Sequence, residues 1–263
     1  MSKTCKNCDN AVDENFCDHC GQSIGTGRIN MHFLWDEIQS QVLSFDKGIL
    51  YTSKQLFLRP GESIREYLAG KRVTHIKPIA LVILLTGVFA LLYGVLGINT
   101  LNSDAWKGLE EGFNEGPKSE LSIDIKAIND FKNNHIDLIE LTLLPLYSMA
   151  SFIVFRKYKY NFAEHLVLNG FITTQKLVVN ILMLPLFSIY NSNAEVFDWL
   201  GVTEIFIGML ITVRIYTSFF NRGSVFISVL KSGLVYLSLF TEYVLLFFIY
   251  LIVLVVIGIF RGH

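Results

Sequence analysis

Long apolar runs, separated by short polar segments, make up most of the chain after residue 77. Five runs are long enough to cross a hydrocarbon core of about 30 Å as helices. Together they predict an all-α membrane bundle of about five transmembrane helices in residues 78–263. The predicted spans are residues 78–98, 136–155, 165–190, 199–220 and 234–260.

The last apolar stretch, residues 225–260, is too long for a single crossing. As one helix it would measure about 54 Å, nearly twice the thickness of the hydrocarbon core. We therefore interpret residues 225–233 as an inner-leaflet segment and residues 234–260 as a tilted fifth span. A hairpin of two short helices, which would return the C-terminus to the cytosol, is the alternative interpretation.

Shorter helical patterns precede the membrane region, in residues 25–77, which we interpret as a linker with amphipathic and interfacial helices. Apolar residues recur at helical spacing over residues 31–45, and the polar positions between them are not enriched in basic residues. Packing within the protein is therefore favoured over lipid binding for this helix. A second helix is predicted to begin at Pro60-Gly61 and to end at Gly70.

Composition agrees with a membrane protein and argues against a nucleic-acid-binding protein. Charged residues are 17% of the chain and the mean hydropathy is +0.44, whereas roughly 25% of residues are charged in ordinary soluble domains. The net charge of −1 gives no bulk electrostatic attraction for nucleic acid, so we expect no nucleic-acid partner.

The distribution of charge along the chain predicts its orientation. Lys71, Arg72 and Lys77 form a basic collar just before the first span. The following loop, residues 99–135, is rich in acidic residues, and basic residues return at 156–159 after the second span. Because basic loops stay in the cytosol, we expect a multi-pass protein of the cytoplasmic (inner) membrane with a cytosolic N-terminus. The collar is expected to contact membrane lipids at the inner headgroup level.

All four cysteines lie within the first twenty residues, as two CxxC pairs. Two such pairs close a four-sulfur site of the geometry that zinc prefers, and residues 1–24 are too few to form a core without a metal. A disulfide or a redox CxxC is the alternative, but paired knuckles on the reducing cytosolic side favour a metal. We therefore predict a zinc ribbon with Phe16 as a lid over one structural Zn²⁺, which is bound by Cys5, Cys8, Cys17 and Cys20.

Ionisable residues inside the apolar spans are costly in a bilayer and mark sites of interest. Lys176 belongs to a polar stripe in the third span, together with Asn169, Thr173 and Asn180. Such a stripe must face protein or water. The stripe either lines a path or pocket for a polar ligand or holds helices together, and we favour the second reading. The ionisable residues are Lys176, Glu204, Arg214 and Glu242. Their estimated depths predict that Lys176 pairs with Glu204, and Arg214 with Glu242.

Glu164-His165, at the entry of the third span, is a further candidate as an acid–base or metal-binding pair. Adjacent residues of a helix point in different directions, so a structural role is favoured. The chain contains no HExxH sequence and no P-loop. An enzyme is therefore the least favoured class of function.

The order of these parts resembles a bacterial family of zinc-ribbon membrane proteins known only as a domain of unknown function. The resemblance covers most of the chain, and residues 60–72 are its most specific part. It implies membrane residence and a cytosolic ribbon, and it brings no activity, substrate or catalytic residue. The motifs that carry it are CxxC…CxxCGQ, RPGESIREYLAGKR, the Pro-led span that follows, and Ala163-Glu164-His165-Leu166.

Two functional hypotheses follow from these observations. We favour a non-enzymatic membrane adaptor or scaffold, whose N-terminal ribbon and basic collar recruit a protein partner. The alternative is a transporter, or a protein that handles lipids or small molecules through the polar stripe around Lys176. A water-connected cavity at Lys176 would favour the alternative, and close packing against Glu204 would favour the adaptor.

Overall fold

The computed structural model describes residues 3–40, 55–73, 75–98, 108, 136–220 and 224–242. The predicted acidic loop, apart from residue 108, and the end of the predicted fifth span lie outside the described residues. The elements are β1 (Lys3–Thr4), β2 (Ala11–Val12), α1 (Met31–Ser40), α2 (Pro60–Ala69), α3 (Pro78–Val95), α4 (Ile136–Val154), α5 (Phe162–Ile189), α6 (Ala194–Phe219) and α7 (Val225–Glu242).

The helix ends follow from local sequence. Pro60 occupies the first turn of α2, and Gly70 ends the helix in a left-handed conformation with φ 117°, so both predicted bounds of this helix are confirmed. At the start of α5, the Asn161 side chain accepts a hydrogen bond from the Glu164 N–H, and the Glu164 carboxylate accepts one from the Asn161 N–H. This reciprocal capping box fixes the point where α5 begins.

α5 lies at the centre of the bundle, packed against α3, α4 and α6. Every residue from 163 to 175 is buried, including the polar ones. Gly170 permits the close approach of α3, because an added Cβ would lie 3.3 Å from the Cβ of Pro78. The central position of α5 explains why its polar side chains are paired within the protein.

The helices alternate in direction between two ends of the bundle. At the end that carries the N-terminal ribbon, here named the ribbon end, Phe155 after α4 stacks on Phe220 after α6, with ring centroids 4.0 Å apart. α4 and α6 therefore both finish at the ribbon end. α3 and α5 finish at the opposite end, here named the far end, where the Ser188 hydroxyl donates to the carbonyl oxygen of Leu96.

The outer surface of the bundle is apolar. Within the described chain, α3, α5, α6 and α7 are long and apolar enough to cross a membrane. Only 17% of the most apolar window of α6 is buried, and Val202 and Phe206 on that helix are 55% and 59% exposed. Apolar surface of this extent is suited to lipid and not to water. The described chain is mostly helical, and four of its helices are long and apolar enough to cross a membrane, which agrees with the predicted helical membrane protein.

The helix α4, Ile136–Val154, covers nearly all of the predicted second span, residues 136–155. The helix α7 runs unbroken from Val225 to Glu242, through the boundary predicted at residues 233–234. The reason is a buried stripe at helical spacing along the whole of α7, formed by Ser228, Ser232, Val235 and Leu239.

Candidate metal centre and intramembrane polar site

The four cysteines lie on two turns of the same geometry. In the first turn the Cys5 N–H donates to the Asn10 carbonyl oxygen and the Asp9 N–H donates to that of Cys5. The second turn repeats this pattern with Cys17, Gly21 and Gln22. Asp9 and Gly21 occupy equivalent positions with φ of 61° and 73°. These turns direct both thiols of each pair toward a common centre.

The sulfur positions fit a metal ion. All four Sγ atoms lie within 4.8 Å of one another, and the Cys5–Cys20 and Cys8–Cys17 pairs are 3.6 and 3.5 Å apart. A tetrahedral zinc site with Zn–S bonds of about 2.3 Å places its sulfurs about 3.8 Å apart. The predicted clustering of the four cysteines is confirmed, and the cluster could hold a metal ion.

The thiols have different proton affinities without a cation. Desolvation raises the pKa of Cys5, but N–H groups of Asn7 and Cys8 outweigh it and lower the pKa to about 7. At Cys8 the Asn10 N–H lowers the pKa, whereas desolvation and the neighbouring sulfurs raise it to about 12. Four thiolates this close repel one another, so a cation is needed before all four ionise.

Two other features of the ribbon differ from expectation. The predicted lid, Phe16, is 62% exposed and lies outside the small ribbon core of Cys5, Val12 and Cys17. Residues 21–25 read GQSIG and match the GxSxG pattern of nucleophile elbows. Ser23 in this match forms an isolated β-bridge with Phe16 and not the strand-to-helix turn of a nucleophile elbow.

The ribbon is fastened to the end of α2. The buried Gln22 side-chain oxygen accepts hydrogen bonds from the backbone N–H groups of Arg72 and Val73, at 3.0 and 3.4 Å. The Lys6 ammonium donates to the Thr26 carbonyl oxygen at 2.7 Å. An added Cβ at Gly70 would lie 2.9 Å from Cδ of Lys6. The second cysteine turn, with its CGQ sequence at residues 20–22, is therefore in direct contact with the GKR sequence at residues 70–72 that follows α2.

A second attachment joins the segment after the ribbon to α5. The Arg28 guanidinium donates to both carboxylate oxygens of Glu164, each at 2.7 Å, and to the Lys159 carbonyl oxygen at 2.8 Å. The Asn161 amide donates to the carbonyl oxygen of Ile29, which is fully buried. Hydrogen bonding to Glu164 raises the pKa of Arg28. Glu164 thus caps α5 and anchors the segment that follows the ribbon.

The helix α2 docks onto the ribbon end of α6. The Gly61 N–H donates to the Ser218 hydroxyl at 3.1 Å, and the Arg65 guanidinium donates to the carbonyl oxygens of Ser218 and Phe219 at 2.7 and 2.8 Å. An added Cβ at Gly61 would lie 2.2 Å from the Ser218 carbonyl carbon. Gly61 is therefore required for close backbone approach as well as for the helix start.

Arg214 takes part in the same docking. Its guanidinium donates to the Phe57 carbonyl oxygen at 2.5 Å, so the predicted pairing with Glu242 is wrong. Glu242 instead accepts from the Ser238 hydroxyl at 3.4 Å, and its second oxygen has no hydrogen-bond partner in the described part of the chain. The physical reason is that the helical segment at residues 55–58 ends close to α6, so that the carbonyl oxygen of Phe57 lies within reach of Arg214.

The collar residues face the protein to a larger extent than predicted. Lys71 pairs with Glu66 at 3.4 Å, and the Arg72 guanidinium lies 4.4 Å from the centre of the Phe33 ring and donates to the Gly27 carbonyl oxygen. His75, between them and Lys77, is buried, and desolvation lowers its pKa. Lys77 directly precedes α3.

Lys176 and Glu204 line one cavity of about 190 Å³ between α4, α5, α6 and α7. The Lys176 ammonium lies 3.5 Å from the Tyr147 hydroxyl and 4.7 Å from the centre of its ring. None of the ion pairs within 4.0 Å in the described chain joins Lys176 to Glu204. The two residues share a site as predicted, but the direct contact of Lys176 is with a tyrosine.

The comparisons with known proteins give one match. Residues 46–90 match a family model described as "Protein of unknown function (DUF3667)". The match includes α2, the collar and most of α3, and therefore the part of the resemblance that is most specific. No curated protein and no solved structure matches the chain.

A buried polar network connects α4, α5 and α6, and the sequence analysis identified only part of it. The Tyr216 hydroxyl donates to Asn169, whose amide donates to the Ser151 hydroxyl, and Ser151 lies 2.9 Å from Nδ1 of the fully buried His165. Glu164 and His165 are thus turned to different partners. Serine and tyrosine at single positions in apolar runs give no periodic signal, so the sequence analysis identified Asn169 and His165 but not Ser151 or Tyr216.

Proposed function

We propose that this chain is a non-enzymatic membrane adaptor that binds one structural Zn²⁺ and presents its ribbon to a cytosolic protein partner. The observation that carries the proposal is the fixed position of the ribbon. Gln22 fastens one side of it to the backbone that follows α2, and Arg28 fastens the segment after the ribbon to α5. A small domain held this firmly is suited to present its remaining surface in a defined orientation.

The charge at the two ends of the bundle supports a cytosolic ribbon in the inner membrane. Lys71, Arg72, Lys77 and the basic residues at 156–159 gather at the ribbon end. The described residues of the far end, 95–98 and 189–199, contain no lysine or arginine. Cytosolic segments of membrane proteins carry the excess of basic residues. In the cytosol the thiols stay reduced, and four thiolates with this spacing bind zinc.

The exposed side of the ribbon supports a particular chemistry for the partner. Phe16 is 62% exposed, and the neighbouring acidic residues Asp13, Glu14 and Asp18 are also exposed. Exposed aromatic residues commonly form the energetic centre of an interface, and surrounding charges select the partner. We therefore propose a basic protein segment that carries an apolar residue to cover Phe16.

Photo-crosslinking in living cells tests the adaptor role. A photoreactive amino acid at Asn15, whose side chain is exposed, should cross-link the full-length protein to one defined cytosolic protein with a basic segment. Phe16→Ala should reduce the yield at least tenfold, because loss of an aromatic hot spot costs about 2 kcal/mol or more. Neutralising Asp13, Glu14 and Asp18 together should also reduce it.

Trp35→Ala is the matched control, since Trp35 is 61% exposed but lies on α1 outside the ribbon. It should leave the cross-link unchanged. An adaptor role for the ribbon face is ruled out if the Phe16 and Trp35 variants give the same yield. It is also ruled out if the probe labels lipid alone.

A second candidate function, handling of a lipid or small molecule, is favoured by one observation. The cavity beside Lys176 contains polar and charged groups in the middle of an apolar bundle. Such groups are costly there unless they pair within the protein or bind a ligand.

A further inference from the structure

Three exposed cations lie on the connection between α4 and α5 at the ribbon end. Arg156 and Lys157 belong to a single turn of 3₁₀ helix, Arg156–Tyr158, and Lys159 directly follows it. All three side chains are exposed, and none of them forms an ion pair within 4.0 Å in the described part of the chain. Arg156, Lys157 and Lys159 are here named the basic turn.

Other cations of the ribbon end have acceptors within the protein, which sets the basic turn apart. Lys71 pairs with Glu66, and the guanidinium groups of Arg65 and Arg214 donate to backbone carbonyl oxygens. The stretches of sequence that lead into and out of this end bring more basic than acidic residues. In residues 41–54 and 221–223 these are Asp46 on the acidic side and Lys47, Lys54 and Arg222 on the basic side.

Hydrogen bonds hold the basic turn in one conformation. The Tyr158 N–H donates to the Phe155 carbonyl oxygen at 2.9 Å, and the Lys159 N–H donates to that of Arg156 at 3.2 Å. The Arg28 guanidinium donates to the Lys159 carbonyl oxygen at 2.8 Å. A turn that is fixed in advance loses little conformational entropy when a ligand binds to its side chains.

Lys231 of α7 adds a fourth cation on the membrane side of the basic turn. Its ammonium lies 4.9 Å from the centre of the Tyr158 ring and 5.8 Å from that of Phe155. Lys231 is six residues after Val225, which places it about 9 Å along the axis of α7. Its neighbour Leu230 is 54% exposed on the apolar outer surface. A lysine at such a depth extends its charged end toward the polar boundary of the membrane.

The position of Lys231 favours a lipid over a soluble protein as the occupant of this surface. Ile153, on α4 just before the basic turn, is 50% exposed, so the cations border apolar surface on both helices. A lipid phosphate at this boundary can contact the cations while the acyl chains lie along the helices. An acidic protein segment can reach the basic turn from water, but it would have to enter the apolar layer to reach Lys231, which is costly.

We propose that the basic turn and Lys231 bind the headgroup of an anionic phospholipid in the leaflet at the ribbon end. Cations without a carboxylate partner in the described chain attract a headgroup of net negative charge, whereas they repel the ammonium of a zwitterionic headgroup. The inference goes beyond both functions proposed above and depends on neither of them.

Native mass spectrometry of the full-length protein in a non-ionic detergent tests the inference, because it counts the lipids bound to each chain. The probes are dioctanoyl phosphatidylglycerol, which is anionic, and dioctanoyl phosphatidylethanolamine, which is zwitterionic. Phosphatidylglycerol should occupy a single site per chain and bind about tenfold more tightly than phosphatidylethanolamine. Each cation near an anionic headgroup contributes a factor of about five to the affinity. Lys231→Met should therefore weaken phosphatidylglycerol binding about fivefold, and Arg156→Gln combined with Lys157→Gln should weaken it about 25-fold.

Replacement of Lys71 and Lys77 by glutamine is the matched control. It also removes two positive charges from the ribbon end, but Lys71 already pairs with Glu66 and neither lysine belongs to the basic turn. In about 0.15 M ammonium acetate the attraction between distant charges is screened, so the affinity should change by less than about twofold. Equal losses in the two double variants would show attraction by overall charge alone and would refute a site at the basic turn.

The remaining outcomes decide the occupant. Equal binding of the two lipids would refute an anionic headgroup, and binding that Lys231→Met and the Arg156 and Lys157 double variant leave unchanged would refute the location. An unchanged Tm of these variants, whose altered side chains are fully or partly exposed, verifies that they are folded. A soluble hexaglutamate peptide at the concentration of the lipid should not displace phosphatidylglycerol. Displacement would identify an acidic protein segment as the occupant and overturn the lipid.

Discussion

Replacement of Gly61 by alanine is expected to loosen the ribbon end of the bundle. An added Cβ would lie 2.2 Å from the carbonyl carbon and 2.4 Å from the carbonyl oxygen of Ser218. Carbon atoms in contact normally lie about 3.5–4.0 Å apart, so α2 must retreat by roughly 1 Å or more. The retreat also lengthens the Gly61–Ser218 hydrogen bond and both bonds from Arg65 to the end of α6.

The cost of this retreat is set by overpacking and by the bonds that it strains. Overpacking in a packed site costs about 1–3 kcal/mol, and a hydrogen bond from a charged donor contributes about 1.5–3 kcal/mol. Because the segment relaxes partly, we expect a loss of about 3 kcal/mol in the free energy of unfolding. For a chain of this size the loss corresponds to a decrease in Tm of about 6–12 °C.

Thermal unfolding of the purified protein in detergent provides the assay. Gly87→Ala and Gly94→Ala in α3 are matched controls, because an added Cβ at either position meets nothing within 4 Å. Their Tm should stay the same or rise slightly, since alanine is the better helix former. Removal of the Ser218 side chain should not rescue Gly61→Ala, because the nearest atom is backbone. A Gly61→Ala variant as stable as the controls, or a rescue by Ser218→Gly, would refute the reasoning.

Two further predictions concern the ribbon and the collar. Elemental analysis should find close to one zinc per chain, and replacement of Cys17 and Cys20 by serine should remove it. Folded protein that contains no metal and has two disulfides would contradict the predicted zinc site. Burial lowers the pKa of His75 in the folded protein. Below pH about 6.5, the ordinary pKa of histidine, the imidazole of the unfolded chain binds a proton, whereas that of the folded chain remains neutral. Stability should therefore fall as the pH drops from 7 to 5, and a His75→Gln variant should show a shallower decrease in Tm over the same range.

The sequence predicts well those features that depend on neighbouring residues. The four cysteines approach one another because each CxxC turn is local, and α2 has its predicted ends because Pro60 and Gly70 act on their own backbone. The membrane helices follow from uninterrupted apolar runs. The buried stripe of α7 that includes Ser228 and Ser232 could not be predicted in this way, because it depends on the helices against which α7 packs.

The partners of the polar side chains could not be predicted, since they depend on contacts between distant segments. Arg214 lies 157 positions from Phe57, whose carbonyl oxygen it binds, and Arg28 lies 136 positions from Glu164. Every residue has a backbone carbonyl oxygen, so the sequence does not indicate which of them accepts a hydrogen bond from an arginine. Counting depth along helices found that Lys176 and Glu204 share a cavity, but it could not show that Lys176 contacts Tyr147.

Hydrogen bonds at both ends of α2 connect the motif residues to the ribbon and to the bundle. Gln22 follows directly on the second cysteine turn, and its side chain binds the backbone that leaves α2. At the other end of α2, Gly61 and Arg65 bind the end of α6. An ion that binds only the folded ribbon stabilises whatever the folded ribbon holds in place. A metal ion bound by the four cysteines would therefore also stabilise the junction between α2 and the bundle.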